Sequence, residues 1–425
     1  MKSKSLNKVL ILIPVVFFLL GQISYCQSEF IVNKAHLDYL YKEIIVDGKE
    51  MAIIHIYSNA PDYKYVGDDD EGYACVDDAA RAAIFYLEYF KAYNDSSSLY
   101  RYYNLVEFLL YMQAENGFFY NFIWEDNSIN KTFKTSVAEA NWWSWRALWA
   151  LTEGYDLLMT PEKDRSTRVK KSISQIIESI KKNISKEKNE VTIEGIKLPD
   201  WLPFQFASDQ AALLTIILSN YYKETGDKEI LEYLNSLVQG IMMMQINDLK
   251  CEYNGAFLSW QNEWHGWGNS QAYALLKAYQ VLKNEKLKTA ALFELNNFYQ
   301  RLFEIEFLSS FSVRKTDCNF EIINSNKFSQ IAYVIRPIVY ALLEAYKITS
   351  DTSYVIQAGQ IAKWFTGKNP AGEVMYNPHT GIIYDGIENE NLINKNSGAE
   401  STIEGLLTLL KISQNQNALM SFQSE

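Results

Sequence analysis

The amino-acid sequence predicts an all-α fold in which six helical hairpins close into a ring, an (α/α)6 toroid. Three observations carry the prediction. Segments apolar on every side alternate with segments bearing one apolar stripe, at a repeat of about sixty to seventy residues, as in stacked helical hairpins. The turns from apolar to striped segments share their chemistry: YFKAYND ends at Asp95, YYKETGD at Asp227 and AYKITSD at Asp351. Each has a Lys in the last helical turn and an Asp placed to cap the next helix. Acidic and aromatic residues gather where the apolar segments begin. An open solenoid would leave one face of each pair in water, and the inner segments are too apolar for that.

At the N-terminus Lys2, Lys4 and Lys8 precede an apolar run from Val9 to Leu20. This reads as a secretion signal over residues 1–26, with a single toroid over 27–425; the run is shorter than the roughly 20 residues of a membrane span. No transmembrane span remains after cleavage, and Cys26 is a candidate lipid anchor. Cys75, Cys251 and Cys318 are too sparse for a disulfide framework.

The first helix is expected over Glu29 to Ile44, anchored by Leu37 and Leu40. A short β-like and loop segment, Met51 to Val66, precedes the second helix. Asp68 to Glu71 reads as a solvated acidic loop, its spacing wrong for an EF-hand. Helix two runs from Asp77 to Tyr93, followed by Leu99 to Met112, Ala138 to Leu158 and Pro161 to Lys182. Thr160 and Pro161 suit a cap and first-turn proline there, and Val169, Ile173, Ile176 and Ile180 form one stripe. Ala207 to Thr225 is apolar all round, and Asp227 to Gln245 is striped. Ser270 to Leu282, Glu285 to Leu308, Gln330 to Thr349, Thr352 to Phe365 and Ala399 to Ile412 complete the twelve.

Composition narrows the function. The chain is 48% hydrophobic and 14% aromatic with net charge −11, which argues against a nucleic-acid partner, since phosphates need a basic face. Metal-ligand spacing is absent from the sequence, and no cofactor is expected.

In such a ring the inner helices run the same way and open on one face. Helix two brings Tyr73, Asp77 and Asp78 there; the fourth brings Glu139, Asn141, Trp142 and Trp143; the sixth brings Trp201 and Asp209. The eighth adds Glu263, Trp264, His265 and Trp267, the tenth Tyr333 and Arg336, the twelfth Asn396 and Glu400. Trp and Tyr rings pack on sugar C–H faces, while Asp, Glu and Asn bond hydroxyls. Paired carboxylates can then split a glycosidic bond. Singly each residue has a plainer reading: Asp77 suits a helix N-cap, His265 a structural hydrogen bond, and Trp145 and Trp149 the core. Arg81 and Arg146, about a turn into inner helices, suit props for Asp77 and Glu139. The Gly-, Asn- and Pro-rich stretch from Asn369 to Asn396 is expected to wall the cleft, with Tyr376, His379, Tyr384 and Asp385 as sugar contacts.

GYACVDDAARA, GFFYNF (Gly117 to Phe122), NWWSWRALWAL (Asn141 to Leu151), WFTGKNPAG (Trp364 to Gly372) and YNPHTGIIYDG…NKNSGAEST (Tyr376 to Thr402) resemble the six-hairpin glycosidase superfamily. Within it they most resemble a bacterial domain often attached to glycosyltransferases. The resemblance spans most of the chain beyond residue 26 and implies the toroid fold and glycan chemistry. A signal peptide without a glycosyltransferase domain favours exported glycan degradation.

The leading expectation is a secreted, periplasmic or extracellular glycoside hydrolase for a neutral oligo- or polysaccharide, inverting by the same resemblance. Ring closure brings Asp77 and Asp78 to Glu400, with Asp78 as base, Glu400 as acid, and Glu139 and Glu263 as substitutes. A polysaccharide lyase or unsaturated-uronide hydrolase is the first alternative. Its acidic substrate needs Arg or Lys, for which Arg336 and Lys395 are the candidates against at least six acids. A non-catalytic glycan-binding protein is the second, since the tryptophans serve binding equally well.

Overall fold

The computed structural model describes residues 32–424 apart from 161, 184–186 and 318. The signal segment, Cys26, Pro161 and Cys318 lie outside the described residues. Among those described, twelve helices build the ring. The inner six are α1 (Val76–Tyr93), α3 (Trp142–Glu153), α5 (Ser208–Thr225), α7 (Gln271–Leu282), α9 (Ile335–Thr349) and α11 (Ala399–Ser413). The outer six are α2 (Ser96–Met112), α4 (Lys163–Asn183), α6 (Ile230–Met243), α8 (Glu285–Asn296), α10 (Thr352–Ala362) and α12 (Gln416–Gln423). Each inner helix packs on the next, and α11 returns to α1, so the ring closes.

Burial follows the sequence pattern. In α5 the run from Ser208 to Ser219 is buried on all sides, whereas α4 buries Val169, Ile173, Ile176 and Ile180 under a charged outer face. Each fully buried Leu or Ile contributes about 1.5–3 kcal/mol, so the inner ring is the main stabilising element. The shared turns end their helices through left-handed residues, Asn94 (φ 55°), Gly226 (φ 67°) and Ser350 (φ 63°). Asp95 and Asp351 then cap α2 and α10 by accepting from the Ser97 and Ser353 N–H at 3.1 and 2.9 Å. Asp227 accepts from the Glu229 N–H at 3.0 Å, just ahead of α6.

The N-terminal expectation needs correcting. Among the described residues of that span only Ala35–Leu40 is helical, and the chain then forms a hairpin, Tyr41–Val46 paired with Lys49–Ile54. Asp47 (φ 51°) and Gly48 (φ 74°) supply the left-handed turn that a two-residue hairpin requires. The outer partner of α11 is therefore α12 at the C-terminus, capped by Asn415. Small antiparallel sheets missing from the sequence pattern elaborate the connections. Glu263–His265 pairs with Ser310–Lys315, which pairs with Phe320–Asn326; Gln330–Ile331 pairs with Gly386–Asn389, which pairs with Leu392–Asn394. Among the described residues no helix is long and apolar enough to cross a membrane.

Candidate active site

The chain enters α1 through Gly72 (φ +121°), where a Cβ would stand 2.1 Å from the Ile123 carbonyl oxygen. Cys75 caps the helix, its Sγ accepting from the Asp78 N–H at 3.4 Å. Asp77, which the sequence suggests as the cap, is thereby free to face the ring axis.

There its Oδ2 accepts from Arg81 Nη2 at 2.6 Å and from Arg146 Nη1. Burial alone would raise the Asp77 carboxyl, but Arg146 and Arg81 outweigh it and hold it below the ordinary carboxylate range. Arg81 is 1% exposed and gathers the other acids. Its Nη2 lies 2.7 Å from Glu400 Oε2, its Nη1 3.5 Å from Asp78 Oδ1 and its Nε 3.6 Å from Glu404 Oε1. Asp78 is also buried; burial pushes its carboxyl up to about 7 against the pull of Arg81, and Asp77 and Glu400 add to the rise. The Glu400 side chain is 42% exposed.

Arg336 pairs with Glu404, which sequence reasoning missed although it stands four residues, one helical turn, beyond Glu400 on the same face. Tyr333 sits among all three guanidiniums, its ring centre 5.3 Å from Arg81, 5.4 Å from Arg146 and 5.1 Å from Arg336. Its hydroxyl accepts from Arg146 Nη2 at 2.9 Å. Across a small cleft (the bowl) bordered by Trp142, Trp149, Asp209, Trp267, Tyr333 and Arg336 stands a second polar pair. His265 Nε2 is 3.1 Å from Asp209 Oδ2, and the imidazole stacks on Trp267 at 4.1 Å. Gly268 permits this approach, since a Cβ there would meet His265 Cε1 at 2.4 Å.

Several expected contacts belong elsewhere. Trp143 is buried and donates to the Phe119 carbonyl at 2.7 Å; Trp264 is buried and stacked on Phe311. Tyr73 is buried, donating to Asn127 Oδ1 at 2.6 Å. All three are core residues rather than sugar platforms, because their polar atoms or faces meet protein. Tyr376 is likewise buried, its hydroxyl accepting from the Asn33 N–H. Arg146 props Asp77, not Glu139. Glu139 accepts from Asn141 Nδ2 at 2.8 Å, while Asn141 Oδ1 caps α3. Glu139 and Trp201 border a neighbouring cleft rather than the Arg81 centre. Glu263 is exposed on its short strand opposite Ser312. Asn396 Oδ1 accepts from the Ala60 N–H at 3.0 Å and ties down the long loop. In that loop Asp385 accepts from the Gly398 N–H at 2.8 Å; burial raises its carboxyl, and Glu400 adds to the rise. Arg336, the expected contact for an acidic sugar, is buried against Glu404.

No protein-family model and no curated protein matches the chain. Solved structures do. A cellobiose 2-epimerase from Bacillus thermoamylovorans superposes with a TM-score of 0.60 at 12% identity, over 88% of this chain and 95% of that one. A D-mannose isomerase gives 0.60 at 10% identity, over 91% and 96%. A family 76 α-mannanase from Bacteroides thetaiotaomicron gives 0.54 at 10% identity, over 82% and 88%. At such identities the likeness speaks for the fold, and the chain has the six-hairpin (α/α)6 toroid fold of the superfamily that its sequence resembles.

Proposed function

We propose that the chain is a glycoside hydrolase for a neutral oligo- or polysaccharide, working through Asp78 and Glu400. The observation that carries this reading is that Arg81 contacts both carboxyl groups while their surroundings differ. A general acid must keep its proton near working pH, and a general base must be ionised and reach water. Burial keeps the Asp78 proton up to about pH 7, whereas Glu400 is exposed beside Arg81. Asp78 is then the acid and Glu400 the base, the reverse of the order expected from sequence. One guanidinium reaches both, which places the two carboxyl groups close together on the same face of the ring. Each of the three guanidiniums already meets a carboxylate, so a uronate would compete with Asp77, Glu400 or Glu404, which favours a neutral sugar. The family 76 α-mannanase of the same fold adds support.

A screen of neutral plant and microbial glycans, reading released products by chromatography, tests the proposal. Asp78→Asn and Glu400→Gln should each lower turnover by roughly 10²–10⁴-fold, and full turnover in both variants would refute it. The N-terminal signal pattern supports action outside the cytoplasm, which cleavage near Cys26 in the mature protein would establish.

A second reading, epimerisation or isomerisation of a sugar, is favoured by His265. An imidazole held by a carboxylate such as Asp209 is suited to take a proton from a carbon beside a carbonyl. A cellobiose 2-epimerase and a D-mannose isomerase share the fold. Deuterium entering C2 of mannose or cellobiose in D2O, followed by NMR, would support this reading. Shorter sugars released without deuterium would support hydrolysis.

A further inference from the structure

Beside the bowl, where the start of α3 and the end of α4 meet the turn leading into α5, lies a cleft of about 480 Å³, within the roughly 300–1,000 Å³ of ordinary ligand sites. We propose that it holds the distal units of a neutral glycan chain whose reacting end lies at Asp78 and Glu400. This rests on the carbohydrate reading above.

Its lining, its rim and its place beside the bowl argue for it. Phe118 and Trp145, both buried with their rings edge-on at 5.9 Å, close the base of the cleft. Glu139, Asp200, Asn116 and Asn183 place carboxylates and amides around it, groups that bond hydroxyls. The described lining residues include neither Lys nor Arg, which disfavours phosphate, sulfate or uronate.

At the rim Phe204 is 51% exposed, a large ring held in water. It and Gln205 both occupy the left-handed region, at φ 47° and 66°. Such backbone is strained for residues with a side chain and persists only where the surroundings enforce it. Here Trp201 anchors the turn, donating to the Ser236 carbonyl at 3.1 Å, and Leu202 is buried beneath it. Core packing does not account for a strained turn that presents an aromatic ring to solvent. Stacking on a sugar face does.

The cleft also adjoins the bowl. Glu139 in the cleft bonds Asn141, whose neighbour Trp142 borders the bowl. Trp145 at the base of the cleft donates at 2.7 Å to Gln210, whose neighbour Asp209 borders the bowl. The two clefts are therefore neighbours across the first turns of α3 and α5.

The test uses two ladders of neutral probes, manno- and cello-oligosaccharides from disaccharide to hexasaccharide, with affinity measured calorimetrically on the full chain. Hexasaccharide should bind one ladder roughly tenfold or more tighter than disaccharide. Phe204→Gly, which also relaxes the backbone, should bring that ratio towards one, and Phe204→Tyr should restore it. Circular dichroism checks that both variants are folded. Equal affinity for all lengths, no binding on either ladder, or a ratio unchanged in Phe204→Gly would overturn the inference. Length-dependent binding that Phe204→Gly abolishes, without product release by the wild type, would sustain the cleft and remove the hydrolase reading.

Discussion

Arg81 of the first inner helix and Glu400 of the last meet at 2.7 Å, so the contact that closes the ring also lies at the candidate site. Asp77 and Asp78 reach Arg81 from its own helix, whereas Glu400 and Glu404 come from α11, so the acid cluster around the buried guanidinium is complete only when α11 has returned to α1. Closing the ring therefore completes the site. A buried cation surrounded by acids is also a source of unequal pKa values: Asp77 is pulled down and Asp78 is left high.

Asp77 is the shared counter-ion of two buried arginines. Asp77→Ala should leave Arg81 and Arg146 facing each other with one carboxylate fewer, at a cost of about 3–5 kcal/mol. Urea unfolding measures it, and an unchanged midpoint would show that the pairing contributes little.

The pH dependence of turnover should report Asp78. As the acid it works while protonated, so kcat/KM should fall as pH rises through about 7. The charge of Asp77 helps to hold the Asp78 carboxyl high, so Asp77→Asn should move that limb to lower pH. A limb left in place would assign it to another group, for which Asp385, raised by its burial beside Glu400, is the next variant to examine.

Tyr333 separates two contributions at one position. Tyr333→Phe removes the acceptor for Arg146 and should cost about 1–3 kcal/mol. Tyr333→Leu also removes the ring from three guanidiniums, each contact being worth about 0.5–2 kcal/mol. Melting curves should rank wild type above Phe above Leu. Equal melting of the two variants would mean that the ring contacts contribute nothing.

The ring was legible in the sequence because inner helices must be apolar all round, as in Leu213, Leu214 and Ile217 of α5, and no other burial explains them. The meeting of Asp77, Asp78 and Glu400 followed from closure. Side-chain direction was not legible. Trp142 and Trp143 are adjacent, yet a helix turns them about 100° apart, so Trp142 borders the bowl while Trp143 enters the core. Glu404 was hidden because an acid in an apolar helix shows no partner until Arg336 and Arg81 arrive from elsewhere. The Tyr41–Ile54 hairpin did carry a signal, Asp47-Gly48 between two β-branched-rich segments, which the helical anchors Leu37 and Leu40 obscured.

Away from the site, Glu294 of α8 should make stability fall as pH rises. It is buried, with Oε1 accepting from the Phe257 N–H at 2.9 Å, and burial pushes its carboxyl up to about 8 despite that bond. Its folded value lies above its unfolded one, so the folded state binds the extra proton between the two. Its stabilising effect is complete below the unfolded value and is lost as pH climbs through about 8, with a slope of up to about 1.4 kcal/mol per pH unit. Asp78 acts in the same direction up to about 7. Glu294→Gln keeps the acceptor but carries no charge, so its urea midpoint should fall less between pH 5 and 9 than that of the wild type. The variant should be the more stable protein at the alkaline end. Parallel pH curves for the two proteins would show that Glu294 does not titrate in this window.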